Sequence, residues 1–554
     1  MQRLRFALVL AATLPLAAQP APVKSAFDEF RASAIRAHTK FLSSDLLEGR
    51  GPGTRGDELA TSYTAAQFEA MGLEPAGDNG TFFQKVSLLG ITTVPEKTTV
   101  AFTKGGSPLG TLAYRDEYVG GSQTQKEQDA IDSEVVFVGH GVVAPEFGWD
   151  DYKGLDVRGK TLVMLVDDPP ATKEEPQLFG GRARTYYGRW TYKYEIASER
   201  GAQAVVLVHT NEAAGYGWQV VRNSWTGEQA YVKLPEGRHA LSFAGWMTGA
   251  KMGEAMKAAG HDLTALTEAA HRRDFKPVPL GVRLTGSVTS TIRPFDTANV
   301  VAKLAGGDPK LKDEAIVYSA HHDHIGIGTP DDDDATDTIY NGAVDNASGT
   351  AAVLEIARVW SETEPRPRRS IIFALVAAEE QGLLGSEYFG ANPVIPAGKI
   401  ALGLNLDALN MWGEVKTVTM VGAEKLTFYP TIEKVAKEMN LAIVGDRAPE
   451  QGSFYRSDHF SLAKAGIPAF SIKQGSSIVG KPDGWGEAKS KLYGEKHYHQ
   501  ASDEFDPEWD FAGTVQVGRF AYWLGWEAAQ ADAMPMWREG EEFYAKTAEV
   551  RGSR

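Results

Sequence analysis

The chain has 554 residues, 43% of them hydrophobic and 23% charged, which marks a folded globular protein with more length than one ordinary core needs. Its formal charge of −15 argues against nucleic acid and anionic membrane as main partners, since both demand clustered Lys and Arg. There is no cysteine, so no disulfide and no thiolate ligand is available.

Residues 1–21, MQRLRFALVLAATLPLAAQPA, join Arg3 and Arg5 to an apolar stretch and then to small residues. This is a secretory signal pattern with cleavage between Ala17 and Ala21, and the stretch is too short to span a bilayer. Export to a bacterial periplasm or exterior is expected, with no membrane contact after signal removal. Within 26–75, FDEFRASAIRAHTKFL and DELATSYTAAQFEAMGL have helical spacing, and LLEGRGPGTRG between them reads as a loop. Residues 90–130 turn strand-like and polar.

A block at 115–288 contains strand-like EVVFVG (134–139), KTLVMLVDD (160–168) and AVVLVHT (204–210), with helical KYEIASERGA (193–202) before the last. Its histidines, His140, His209, His239, His261 and His271, are scattered and read as surface or structural. From about 291 strands and helices alternate: AIVYSA, then helical SGTAAVLEIARVW with Asn346 or Ser348 as N-cap, then SIIFALVAA, LLGSEYFG, IALGLNLD, LTFYPTIEKVAKEMN and IPAFSIK. The alternation predicts an α/β architecture, a largely parallel sheet sandwiched by helices. No internal repeat is visible. PDDDD (330–334) reads as a solvated loop, with a calcium site as the lesser alternative.

Four polar clusters follow the expected strands: SAHHDHIG (319–326), YNGAVDNASG (340–349), AAEEQG (377–382) and NLDALN (405–410). Sites in open α/β sheets form at the carboxyl ends of strands. A fifth cluster, KHYHQASDEFD (496–506), lies near the end, and five of the twelve histidines fall in 321–324 and 497–499. His, Asp and Glu without Cys suit zinc with open positions. Asp345, in a Gly-rich turn at a helix start, is a natural bridge between two ions. His321 and His499 can cap one each, with Glu380 and Asp407 completing the two sides. Asp323, two residues beyond His321, can orient its imidazole.

AHHDHIGIG, YNGAVDNASGTAAVLEIA, RRSIIFALVAAEEQGLLGSEYF, NLDALNMWG, YRSDHFSLAKAGIPAF and YHQASDEFD resemble the co-catalytic zinc aminopeptidase family, which includes bacterial leucyl aminopeptidases and aminopeptidase Y. The resemblance covers roughly 300–510 and the helical start at 30–75. It implies the zinc exopeptidase fold and two Zn2+ per chain on His321, Asp345, Glu380, Asp407 and His499. It implies Glu379 as general base, Asp323 behind the first ligand, Tyr498 as stabiliser of the reaction intermediate and Arg456 in the substrate cleft. Peptides with a free N-terminus are the implied substrates. Carboxypeptidases, one-zinc glutaminyl cyclases and receptor-like relatives on the same fold are the alternatives. The VGHG turn, the strand ending in DDPP and ASERGAQAVVLV resemble an inserted protease-associated domain, β-rich and α+β. The expected division is 1–21 signal, 22–114 N-terminal part of the catalytic domain, 115–288 insertion, 289–540 catalytic domain and 541–554 tail. The preferred first residue and the oligomeric state are not encoded in any motif; Trp485 is a candidate for one pocket wall.

Overall fold

A computed structural model describes residues 19–328, 336–446 and 449–552. Nearly all of the expected signal segment and the PDDDD loop lie outside the described residues. Among the described residues no helix is long and apolar enough to cross a membrane.

The architecture is mixed α/β. Four parallel strands form the centre of the main sheet, in the order Ser370–Val376, Ala315–His321, Ile400–Leu406, Ala469–Gln474. The antiparallel strand Val278–Leu304 flanks the first of these and pairs onward with Phe83–Thr93. Every residue of Ala315–His321, Ser370–Val376 and Ile400–Leu406 is buried, as strands covered on both faces require. Ile316, Tyr318 and Ala320 face one core with the helices Ser348–Glu362 and Ala512–Gln530. Val317, Ile372 and Val376 face the other, against Phe389 and Leu462. A one-residue slip would exchange these two sets, so burial pins the register.

That register positions the site. His321 lies beside Val376, Ser319 beside Asn405, and Asn405 beside Ser471, so the four strands end along one edge. The His321 strand comes first in the chain but sits between the next two. The chain runs from it to one neighbour and then crosses to the other side, so the strand order reverses there and a crevice opens at its carboxyl end.

A second sheet contains Thr99–Lys104, Tyr118–Gly121, Gln128–Phe137, Thr161–Leu165, Ala204–His209 and Phe243–Thr248. It has its own cores, one around Val163, Val206 and Val208, the other around Leu162, Val205 and Leu207. The 27-residue strand Val278–Leu304 runs through both sheets. The expected boundary at 288/289 thus falls inside one continuous strand, and the second sheet begins at Thr99 rather than near 115. Gly286 and Pro294 interrupt the apolar alternation there and hide the continuity from a sequence reading. Residues 541–552 also form a packed element rather than a loose tail: Phe543 is buried in the main core and Tyr544–Gly552 is a helix.

Candidate metal centre

His321 ends its strand, and Glu379 and Asp407 come just after the ends of theirs. The chain turns sharply beside these positions. Ala378 (φ 54°), Ala408 (φ 53°) and His499 (φ 58°) all take left-handed backbone, which is unusual for non-glycine residues and concentrates at functional sites. The Asp345 turn is fixed by Asn346. Its Oδ1 accepts from Gly349 N (3.0 Å) and Ala408 N (3.1 Å), and its Nδ2 donates to Leu406 O (3.1 Å). Asn346 therefore caps the helix from one residue before the N-cap, Ala347, while Ser348 bonds to Val344 O and Leu409 N instead. Gly349 allows this closeness, because a Cβ there would lie 2.2 Å from Asn346 Oδ1.

The side chains form two lobes. In one, His321 Nε2 lies 3.2 Å from Asp345 Oδ1 and 3.6 Å from Asp407 Oδ1. In the other, His499 Nε2 lies 3.4 Å from Asp345 Oδ2 and 3.0 Å from Glu380 Oε2. Asp345 thus offers one oxygen to each lobe. Donors about 2.0–2.1 Å from a tetrahedral ion stand about 3.3 Å apart, close to these histidine–carboxylate distances, so the donor types suit zinc, and His321, Asp345 and Glu380 form one group of donors within reach of a single ion. Glu379 lies at the rim, its Oε2 4.0 Å from His321 Nε2, and with His321 and Asp407 it completes a donor group of its own.

Neighbouring groups lock these side chains. Asp503 accepts from the backbone N of Val344 and Asp345 (both 3.1 Å) and from Tyr493 OH (3.1 Å). Ser319 donates to Asn405, Asn405 to Ser457, and Ser457 to Asp407 Oδ2 at 2.6 Å. The Asp323 carboxylate faces His321 Nδ1 at longer than hydrogen-bond distance. That contact is 3.7 Å, whereas the backbone O of Asp323 is 3.3 Å from His321 Nδ1. Its carboxylate accepts from the backbone N of Glu379 (3.1 Å) and Glu380 (3.3 Å), where the nearest donors are.

The two adjacent glutamates diverge. Burial, reinforced by Glu380, Asp458 and Asp407 and opposed by His321, pushes the Glu379 carboxyl well above its ordinary value. Burial and Asp345 push Glu380 the same way, but His324 and His499 overcome them and hold it at about 2. Asp407 also reaches about 2, where Lys473 and His321 outweigh burial. The Tyr498 ring, 38% exposed, stacks on His499 at 3.9 Å, and its partial burial with the carboxylates of Asp345, Glu380 and Glu379 raises its hydroxyl pKa, keeping it protonated. Arg456 is exposed, one residue before Ser457. Trp485 meets Trp412 edge to face at 6.2 Å and packs on the core.

Sequence reasoning missed four contributors: His324, Asp503, Asn346 as a brace, and Arg50. His324 Nδ1 is 2.6 Å from Glu380 Oε1. The AHHDHIG motif contained it, but its spacing from His321 gave no reason to prefer it. Arg50 lies in the Gly-rich loop and is fully buried, with bonds to the carbonyls of His322 (2.9 Å), Asn341 (2.6 Å), Gly342 (3.0 Å) and Leu42.

Residues 299–520 match the model of peptidase family M28. The match spans two fifths of the chain. The chain is similar to leupeptin-inactivating enzyme 1 of Streptomyces exfoliatus, 28% identical over 229 residues, 39% of this chain and 46% of that one. Leucine aminopeptidase 2 of Trichophyton rubrum is 25% identical over 241 residues, 40% of this chain and 43% of its own. The matches thus span less than half of each curated relative. Among solved structures, the aminopeptidase from Aneurinibacillus sp. strain AM-1 covers 92% of this chain and 97% of its own at 18% identity, with a TM-score of 0.48.

Proposed function

We propose that this protein is an exported zinc aminopeptidase that removes N-terminal residues from peptides. The observation that carries the reading is Asp345, whose two oxygens each face a separate histidine–carboxylate pair. His321, Asp407 and Asp345 Oδ1 would hold one zinc ion; His499, Glu380 and Asp345 Oδ2 the other. When bound, the zinc pair supplies Lewis-acid polarisation of the scissile carbonyl and acidifies water.

The chain's own residues do the rest. Glu379, with its raised proton affinity, takes a proton from the attacking water and returns it to the leaving amine. Asp323 fixes the backbone from which Glu379 projects. The protonated Tyr498 hydroxyl donates towards the oxyanion as the carbonyl becomes tetrahedral. The carboxylates around the site attract the substrate's free α-ammonium group. The second sheet is read as a protease-associated domain inserted beside the cleft.

The test is a panel of aminoacyl chromogenic substrates, free and N-acetylated, before and after chelation. Hydrolysis restricted to free amines, abolished by chelator and restored by zinc, is expected. Chelator-insensitive turnover, or equal cleavage of blocked substrates, refutes the reading.

A further inference from the structure

A cavity of about 650 Å³, within the range of ligand pockets, lies between the second sheet and the loop that carries Arg456. Arg184, Arg189 and Tyr216 line it from the second-sheet side, Glu450 and Arg456 from the main domain. Most of its charges are already matched. Arg184 Nε is 3.2 Å from Asp167 and its guanidinium donates to Ala213 O at 2.8 Å. Arg182 pairs with Glu450 at 3.3 Å. Asp168 accepts from Thr185 N at 2.7 Å and from its hydroxyl at 2.6 Å. Glu212 lines the mouth but is exposed, where water screens it.

Arg189 and Arg456 are left over. Neither forms an ion pair among the described residues, and Arg189 Nε is buried without a hydrogen-bond partner. Burial lowers the Arg189 pKa to about 10; Tyr216 opposes the shift, and Arg456 and Arg184 add to it. Arg189 lines the cavity with a buried, unpartnered Nε, and the exposed Arg456 brings a second guanidinium charge to the same cavity; an anion between them would satisfy the first and neutralise the pair. A planar carboxylate matches them best, because a guanidinium can grip it with two parallel bonds.

Arg456 also ties the cavity to the metal centre. The next residue, Ser457, donates to Asp407, and the Arg456 charge acts on Tyr498, whose ring stacks on His499. We propose that Arg189 and Arg456 form a subsite for a carboxylate of the peptide substrate, on the leaving-group side of the scissile bond. That carboxylate is the free C-terminus of a short peptide or an acidic side chain near the cleavage point. This subsite rests on the aminopeptidase reading and adds a substrate class to it: short or acidic peptides, selected across the junction of the two sheets.

Two substrate pairs distinguish the sources, each beginning with the best first residue from the chromogenic panel. One is X-Ala-Ala with a free C-terminus against its amide. The other is X-Glu-Ala amide against X-Gln-Ala amide. Zinc-loaded protein should prefer the anionic member of at least one pair by about tenfold or more in kcat/KM, mainly through KM. Within each variant that ratio should fall towards one in Arg189→Gln and Arg456→Gln, and stay partly intact in Arg189→Lys. A ratio within about twofold for both pairs in the unmodified protein, or a preference that survives both glutamine substitutions, overturns the subsite and leaves the aminopeptidase reading standing. Failure to release the first residue from all four peptides instead overturns that reading and the subsite with it.

Discussion

Arg50 lies in a loop far from the ligands in sequence, yet replacing it with methionine should loosen the metal centre. Its guanidinium is buried and donates to four backbone carbonyls, those of Leu42, His322, Asn341 and Gly342. Burial lowers its pKa to about 10, with Asp323, Asp503, Asp345 and Glu380 opposing the shift. Methionine keeps much of the apolar stem and offers no donor. Each lost bond to a charged donor is worth about 1.5–3 kcal/mol, but removing the buried charge recovers part of its desolvation cost. A net loss of about 3–5 kcal/mol follows for the main domain. The effect should reach the metal, because His322 follows His321 and Asn341–Gly342 lead into the Asp345 turn. Zinc affinity should fall about 10- to 100-fold, as for other supporting groups around a metal. Urea unfolding gives the stability, read by hydrogen exchange in peptides covering 315–321, and competition with a chromophoric chelator gives the affinity. Arg50→Lys, with one compact ammonium, should fall between. Stability within about 1 kcal/mol of the unmodified protein, together with unchanged zinc affinity, would refute the bracing argument.

The neighbours Glu379 and Glu380 should have opposite phenotypes. Glu379→Gln should keep its zinc by elemental analysis and lose about 10²–10⁴ in kcat; Glu380→Gln should lose zinc first. Near-normal turnover in the former removes Glu379 from proton transfer. Glu542 predicts a pH dependence at the junction of the two sheets. It accepts from Tyr455 OH (2.7 Å) and Tyr186 N (3.1 Å), and burial raises its pKa from 4.5 to about 7. Between those values the folded state holds a proton that the unfolded state releases. Its contribution is therefore full below pH 4.5 and is lost as pH rises through 7, by up to about 3 kcal/mol. Glu542→Gln should remove that slope, and an unchanged urea-midpoint profile between pH 5 and 8 would count against it.

The sheet was legible because its strands are short, apolar and evenly spaced. SIIFALVAA and IALGLNLD have no alternative to burial on both faces. The ligand candidates were legible for a related reason, since a charge directly after such a strand needs a purpose. What stayed hidden depends on contacts far apart in sequence. Arg50 is 291 residues from Asn341, whose carbonyl it binds. No local pattern separates it from Arg55 five residues on, which lies at the surface with Glu48. The spacing of Asp323 from His321 pointed to the imidazole and gave no sign of its other partners. The fold brings two backbone N–H groups within reach of its carboxylate as well.

Two carboxylates side by side at the end of a buried strand need separate compensation, and the surroundings supply it unequally. Glu380 has His324 at 2.6 Å and His499 at 3.0 Å, so its charge is matched even before any ion is considered. Glu379 has His321 only at 4.0 Å and further carboxylates beyond it. The difference is set by which way each side chain leaves the turn at Ala378, and Asp323 holds that turn by both backbone N–H groups. In the proposed mechanism one strand end thus provides an ionised ligand and a separate group to accept a proton. The division depends on the turn more than on either glutamate. Asp323→Asn keeps the size but offers only one oxygen to two donors, so it should impair turnover and metal retention together, where the substitutions at 379 and 380 separate them.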